Sequence, residues 1–228
     1  MHMSRKLKAL VCIAHPDDEV LFFGGLISSS PYEWTIVCAT DANADGLGVE
    51  RKKRFRKSCK LLGIKKLIHL NFPDVFNQRI NVVEMTGRLR ALAKEEDYDL
   101  IFTHGALGEY GHQHHQDVCF AVHQSFTKKI FSVSYNTFPD LKVNLTKKLF
   151  DLKTKILWQV YSSETKSLLH FLPATSYESF VRLGIKEVNE IYAVLTNQKK
   201  LEMKNLKVYG WMAEYIEEKN YELKERPF

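Results

Sequence analysis

Leu7-Lys8-Ala9-Leu10-Val11-Cys12-Ile13-Ala14-His15-Pro16-Asp17-Asp18-Glu19-Val20-Leu21-Phe22-Phe23-Gly24-Gly25-Leu26-Ile27 is the stretch on which the fold turns. The apolar run from Leu7 to Ile13 predicts a buried strand. The run from Val20 to Ile27 is too long and too unbroken for a turn. Strand, sharp turn, helix fits both, with the helix over about Asp17 to Ser29. Pro16 suits the first helical position, where its missing N–H would be unbonded anyway. Asp17, Asp18 and Glu19 place negative charge where the helix dipole favours it. The dipole accounts well for one acid and only loosely for three. What remains is His15 and Asp18, three apart at the carboxyl end of a strand. Ligands gather at that end in open α/β sheets. The two side chains can converge on one point while Asp17 faces elsewhere. Two ligands beside a free carboxylate are what a metal hydrolase needs.

Composition sets the limits. The chain has 228 residues, 45% of them hydrophobic, enough for one α/β domain with a real core, read here as a single domain over 1–228. No apolar run approaches the ~20 residues of a membrane span. The basic N-terminal residues lead into no signal-peptide apolar segment. The expectation is a soluble, cytoplasmic protein without an integral membrane segment, with a homo-oligomer left open. Cys12, Cys38, Cys59 and Cys119 form no CxxC pair and each lies in an apolar pattern, so they read as small core residues in a reducing compartment. The net charge of +6 comes from scattered lysines and arginines with no nucleic-acid motif among them. A solvated basic surface and no nucleic-acid partner is the reading, with an acidic or phosphate-bearing substrate left open.

Further along, the pattern predicts strands at Thr35–Thr40, Lys66–Leu70, Asp99–Thr103 and Ile130–Ser134. Helices fall between them at about Val49 to Leu62, capped by Gly63, at Ile80–Glu95, and at His112–Phe126. Strand and helix alternating at short spacing indicate a Rossmann-like, doubly wound α/β fold, with a mostly parallel sheet and helices on both faces. After Asn136 the pattern changes. Leu145–Ser162 and the charged, amphipathic Leu201–Glu218 read as helices, and Tyr177–Val181 as a short strand or turn. The last third is therefore expected to be helical and packed on the sheet.

The fourth strand ends in Thr103-His104, followed by Gly105-Ala106-Leu107-Gly108-Glu109-Tyr110-Gly111-His112-Gln113-His114-His115. His112 and His115 are three apart at a helix start and can both face inward. His15, Asp18 and His115 then make a two-histidine, one-carboxylate set that leaves a fourth position for water. Zn2+ suits such a set, and Fe2+ or another divalent ion can also occupy it. Each piece alone has a bland explanation: a strand-end histidine, a helix-capping acid pair, a surface histidine tract. Two such pieces at two strand ends point instead to one metal site. His104 reads either as a pocket residue or as a plain strand-end histidine.

Ala14-His15-Pro16-Asp17-Asp18-Glu19 and Gly108-Glu109-Tyr110-Gly111-His112-Gln113-His114-His115 carry a resemblance to the LmbE/PIG-L family of metal-dependent N-acetylglucosaminyl de-N-acetylases. Weaker matches are Thr40-Asp41, Arg51 before Gly63, Phe72-Pro73-Asp74, Tyr161-Ser162-Ser163 and Glu178-Ser179-Phe180. The resemblance implies a Rossmann-like fold and removal of acetyl from an N-acetylated amino sugar. It places metal ligands on His15, Asp18 and His115, the general base on Asp17, a catalytic histidine on His112 and an oxyanion-polarising tyrosine on Tyr110. Substrate contacts fall on Arg51 and Asp74. The chain departs from the pattern in three places. His114 stands where Asp or Asn is usual, Arg54 where an acid is usual, and Glu164 where glutamine is common. No ligand is lost, so the last two bear on substrate identity more than on the reaction.

The expected partner is a small amino-sugar or glycoconjugate. The expected chemistry has Asp17 taking a proton from water and a protonated His112 donating to the oxyanion, with either able to protonate the leaving amine. Two alternatives stand beside it: an amidase acting on another N-acyl or thiol-sugar conjugate, and a non-catalytic sugar- or nucleotide-binding module. Asp17 argues against the module, since binding alone needs no free carboxylate beside a metal. No phosphate-cradling Gly-rich loop follows the first strand, which argues against a dinucleotide site.

Overall fold

A computed structural model describes residues 5–166 and 175–211. Strand β1 (Lys8–Ile13) lies between β2 (Glu33–Thr40) and β4 (Leu100–Thr103), and all three run parallel. Outside them lie β3 (Lys66–Phe72), parallel to β2, and β5 (Lys129–Val133), parallel to β4. The chain winds outward from β1 to β3 on one side and from β4 to β5 on the other. The order therefore reverses between β1 and β4, the switch point where open sheets bind ligands beyond the carboxyl ends of their strands.

Strand alternation sends β1 side chains to two cores. Ala9, Val11 and Ile13 pack with Val20 of α1 (Asp18–Leu21), Leu26 of α2 (Gly24–Ser29) and Phe23 between them, and with Phe55 of α3 (Gly48–Leu61). Leu10 and Cys12 face Met85 and Leu89 of α4 (Val82–Glu95) and Val118 and Val122 of α5 (Gln113–Ser125). Helices thus cover both faces of the sheet. The four cysteines are buried and unpaired. Gly63 sits at φ 76° just past α3, the left-handed cap that the sequence called for. No helix among the described residues is long and apolar enough to cross a membrane.

Three expectations need correction. The first helix is two short ones, α1 and α2, separated by Phe22 and Phe23. The break has a cause at its far side. Glu178 accepts from the N–H groups of Gly25 and Leu26, each at 2.8 Å, and so begins a new helix there. A Cβ on Gly25 would lie 2.1 Å from Leu145 Cδ2, so any larger residue there would have to displace the Leu145 side chain. Pro16 is not in the first helical position either, because α1 starts at Asp18 with Asp17 before it at φ 110°.

The last third is also less helical than expected. β6 (Leu141–Asn144) and β7 (Tyr177–Val181) join the sheet antiparallel, giving a seven-stranded mixed sheet ordered β3-β2-β1-β4-β5-β7-β6. β6 has four residues with half-exposed Leu141 and Val143 alternating with exposed lysine and asparagine, a signal too short to read in a sequence. Helices α6 (Lys147–Val160), α7 (Ser162–Thr165) and α8 (Ile185–Leu195) complete this region. Of the predicted Leu201–Glu218 helix, residues 201–211 contain only a 3₁₀ turn, Met203–Asn205, and the remainder lies outside the described residues.

Candidate active site

The turn after β1 is folded on its own carboxylates. The His15 N–H donates to Asp18 Oδ2 at 2.7 Å, and the Asp17 N–H donates to Glu19 Oε2 at 2.9 Å. Glu19 is wholly buried and also accepts from the Tyr161 hydroxyl at 2.7 Å and from the Ser58 hydroxyl. These bonds hold Asp17 at its positive φ, a conformation that costs on the order of 1–3 kcal/mol for a residue with a side chain. Thr40 Oγ1 donates to the Ala14 carbonyl at 2.8 Å, and Asp41 Oδ1 accepts from the Asp74 N–H at 3.0 Å. The weaker sequence matches Thr40-Asp41 and Tyr161 thus hold the loops of the site.

The segment after β4 supplies the histidines. Glu109 anchors it, accepting from the Gly105 N–H at 2.7 Å and from His115 Nδ1 at 2.5 Å. His112 caps α5, its Nδ1 accepting from the His114 N–H at 3.2 Å. Ring centroids of His15 lie 4.7 Å from those of His112 and 5.5 Å from those of His115. Tyr110 sits 5.5 Å from His115, ring to ring. Arg51 reaches in from α3, with Nη2 4.0 Å from Asp17 Oδ2 and Nη1 3.7 Å from Asp74 Oδ2. Asp74 Oδ1 is 3.7 Å from His15 Nε2. All eight residues singled out in the sequence therefore meet in one cluster.

Three groups within this cluster have ligating atoms close enough to share an ion: His15–His112–His115, Asp18–His104–His115 and His15–Asp74–His114; none is the predicted His15–Asp18–His115 set, whose members are split between the first two. Proton positions narrow them. The Ala14 N–H points at His104 Nε2 at 3.0 Å, so that nitrogen is not free for an ion. Burial opposes a charge on His104, but Glu109 and Asp18 outweigh it and push it up to about 10. His112 has its Nδ1 lone pair used in the same way and keeps its proton on Nε2. In the last group His15 Nε2 and His114 Nδ1 lie 3.0 Å apart, closed on each other by a hydrogen bond. His115 is different. With Nδ1–H donated to Glu109, its Nε2 is a buried lone pair with no hydrogen-bond partner, 3.5 Å from Asp18 Oδ1. Asp18 Oδ2 in turn lies 3.7 Å from His15 Nδ1. A buried imidazole lone pair facing a carboxylate, with the ring's other nitrogen on a second carboxylate, is a donor arrangement that fits a divalent ion.

Charges within the cluster follow the same lines. Asp18 is held well below the usual carboxylate range: burial works against ionisation, and the His115 and His104 rings outweigh it. Asp17 goes the other way, raised well above that range by burial and by the charge of Asp18. Burial opposes a charge on His15, but Asp18 and Asp74 prevail and push it up to about 9, so a metal must displace a proton there. Burial and His104 bring His115 down to about 4. His112 is pushed far down by burial and by His115, His15 and His114. The protonated His112 expected from the sequence is thus replaced by a neutral ring that offers an Nε2–H.

Four residues of the site were given no role in the sequence reading. Glu19 and Glu109 hold the two halves, and His114 bonds His15. Glu164 lies 3.8 Å from Arg51 Nε and accepts from Arg54 at 2.6 Å. Arg54 and Glu164 are two of the three departures from the family pattern, and their opposite signs were the signal that they pair.

The chain matches the profile of the PIG-L family, described as GlcNAc-PI de-N-acetylase, over residues 10–126, more than half of its length. It belongs to that family. A probable N-acetylglucosaminyl-phosphatidylinositol de-N-acetylase of Dictyostelium discoideum is 27% identical over 132 residues, 54% of this chain and 51% of the relative. The N-acetylglucosaminyl-phosphatidylinositol de-N-acetylase of Saccharomyces cerevisiae is 29% identical over 122 residues, 48% of this chain and 40% of the relative. The chain thus spans about half the length of these curated relatives. The solved N,N'-diacetylchitobiose deacetylase from Pyrococcus horikoshii superimposes with a TM-score of 0.59 at 21% identity, covering 78% of this chain and 84% of that one. At that identity the likeness speaks for the fold.

Proposed function

We propose that this protein is a divalent-metal-dependent de-N-acetylase. It hydrolyses the acetamide of an N-acetylated amino sugar in a GlcNAc-type conjugate, releasing acetate and the free amine. The observation that carries this reading is Asp17. It is a carboxylate outside the His15–Asp18–His115 set, held beside it by a strained turn and raised in pKa. His15, Asp18 and His115 hold the ion, taken to be zinc, with Fe2+ or another divalent metal fitting the same nitrogen and oxygen donors. When bound, the ion supplies a Lewis acid for the amide carbonyl and a water acidified to a pKa of about 7.

The chain's own residues do the rest. Asp17 accepts the proton of the attacking water at its carboxylate. Holding that proton, it passes it to the leaving nitrogen as the C–N bond breaks. The oxyanion receives donors from His112 Nε2–H and the Tyr110 hydroxyl. A neutral His112 can donate a hydrogen bond and has no spare proton to transfer, which assigns the amine's proton to Asp17. Arg51, beside Asp17, and Asp74 contact the sugar. Names borne by the relatives, an N-acetylglucosaminyl-phosphatidylinositol and an N,N'-diacetylchitobiose, support the substrate class and leave its members to be sorted. The test is release of free amine from a panel of N-acetylglucosamine conjugates: glycolipid, thiol-sugar, sugar nucleotide and chitobiose. Amine release with zinc, abolished by a chelator and restored by zinc, is expected. Intact substrates across the whole panel would defeat the proposal.

A further inference from the structure

His114 is the third departure from the family pattern, and the structure gives it hydrogen bonds that carry information. His114 Nε2 lies 2.7 Å from the Gln78 carbonyl oxygen. A carbonyl only accepts, so Nε2 carries the proton. The neutral ring then has a lone pair at Nδ1. That Nδ1 lies 3.0 Å from His15 Nε2, both rings buried. With an acceptor facing it, His15 Nε2 must be the donor. The proton that a metal must displace from His15 is therefore the one on Nδ1, the nitrogen 3.7 Å from Asp18 Oδ2 and on the side of His115. Asp74 Oδ1 lies at 3.7 Å from His15 Nε2 and 3.6 Å from His114 Nδ1, beyond hydrogen-bond reach of both. The chain of bonds from the Gln78 carbonyl through His114 to His15 is therefore the one that sets the ring.

We propose that His114 is a positioning residue that fixes the tautomer of His15, so that His15 presents Nδ1 to the divalent ion and keeps its proton on Nε2. This rests on the reading of His15 as a metal ligand. A ligand imidazole whose other nitrogen is fixed by a hydrogen bond is pre-oriented and is the better donor for it. Glu109 does this for His115 with a carboxylate; His114 does it for His15 with a neutral ring. The two ligand histidines are thus held by partners of different charge, and each coordinates through a different nitrogen, Nδ1 in His15 and Nε2 in His115.

The test uses the full chain loaded with zinc and labelled with 15N-histidine. Two-bond proton–nitrogen correlations are expected to show the His15 proton on Nε2 and a zinc-shifted Nδ1. A His15 with its proton on Nδ1 overturns the inference without any variant. His114→Phe removes the acceptor at similar bulk and should weaken zinc binding about 10- to 100-fold in chelator competition. It should also change the visible spectrum of the cobalt-substituted protein. His114→Asn puts an amide oxygen near the place of Nδ1 and should restore affinity to within about threefold of the original. Wild-type zinc affinity in His114→Phe with an unchanged His15 tautomer overturns the positioning role. His15→Ala separates the two levels. Unchanged zinc affinity in that variant means His15 is no ligand, and the reading beneath the inference fails with it.

Discussion

Glu19 and Glu109 are both buried carboxylates, one behind each half of the site, and they behave as opposites. Glu19 sits among neutral donors, the Ser58 and Tyr161 hydroxyls and the Asp17 N–H, and burial pushes it up to about 7. Burial acts the same way on Glu109, but the His104 and His115 rings outweigh it and bring it down to about 2. The half after β4 is therefore organised by charge: an ionised carboxylate fixes the proton of His115 on Nδ1 and leaves Nε2 free to bind. The half after β1 is organised by backbone: Glu19 holds an N–H, and through it a strained Asp17. Damage to the two should look different, in metal affinity on one side and in turnover on the other.

The sharpest separation is at the tip of the β1 half. Asp17→Asn should lose about 10²- to 10⁴-fold in amine release, the range for a lost acid–base group, and keep its zinc. Loss of zinc in that variant would make Asp17 a ligand and erase the distinction between the halves. On the other side, Glu109→Gln should weaken zinc binding about 10- to 100-fold.

The metal-free protein adds a pH signature with opposite signs for the two residues. Glu109 is lowered from 4.5 to about 2, so the stability it contributes is complete above about pH 4.5 and lost as pH falls through 2. Glu19 is raised from 4.5 to about 7, so its contribution is complete below about pH 4.5 and lost as pH rises through 7. Denaturant unfolding across pH should show Glu109→Gln without the acid loss and Glu19→Gln without the loss toward neutrality. Parallel curves for both variants would contradict the comparison. Glu19→Gln should also retain zinc and lose about tenfold in kcat, as a slightly misplaced Asp17 would give.

The smallest effect belongs to the rim. Arg54 is 31% exposed in its side chain and Glu164 8%. A double-mutant cycle of Arg54→Ala and Glu164→Gln in thermal unfolding should give a coupling of roughly 0.5 kcal/mol, as for a partly solvated pair. A coupling indistinguishable from zero would leave Arg51 without a fixed third carboxylate.

The two halves also differ in how much of them the sequence disclosed. His15, Asp18, His112 and His115 were legible because i,i+3 pairs at strand ends have few other uses, and strand periodicity located those ends. Parallel strands β1 to β5 were legible as apolar runs separated by segments of helical spacing. Glu19 and Glu109 were not, because a carboxylate in a helix start or a Gly-rich loop reads as solvated until the fold buries it. The break between α1 and α2 was hidden as well, since its cause is Glu178, which is remote in sequence and arrives on β7. Strand β6 was lost because only two of its four residues are apolar and neither is fully buried. What sequence spacing cannot express is contact between remote segments, on which Glu19, the α1–α2 break and β6 each depend.

The central claim is that His15, Asp18 and His115 hold one divalent ion while Asp17 stands free beside it. Elemental analysis of the purified wild type next to Asp17→Asn, Asp18→Asn and His115→Ala tests it most directly. The account expects one metal per chain in the wild type and in Asp17→Asn, and a large loss in the other two. Equal metal content in all four proteins would contradict it.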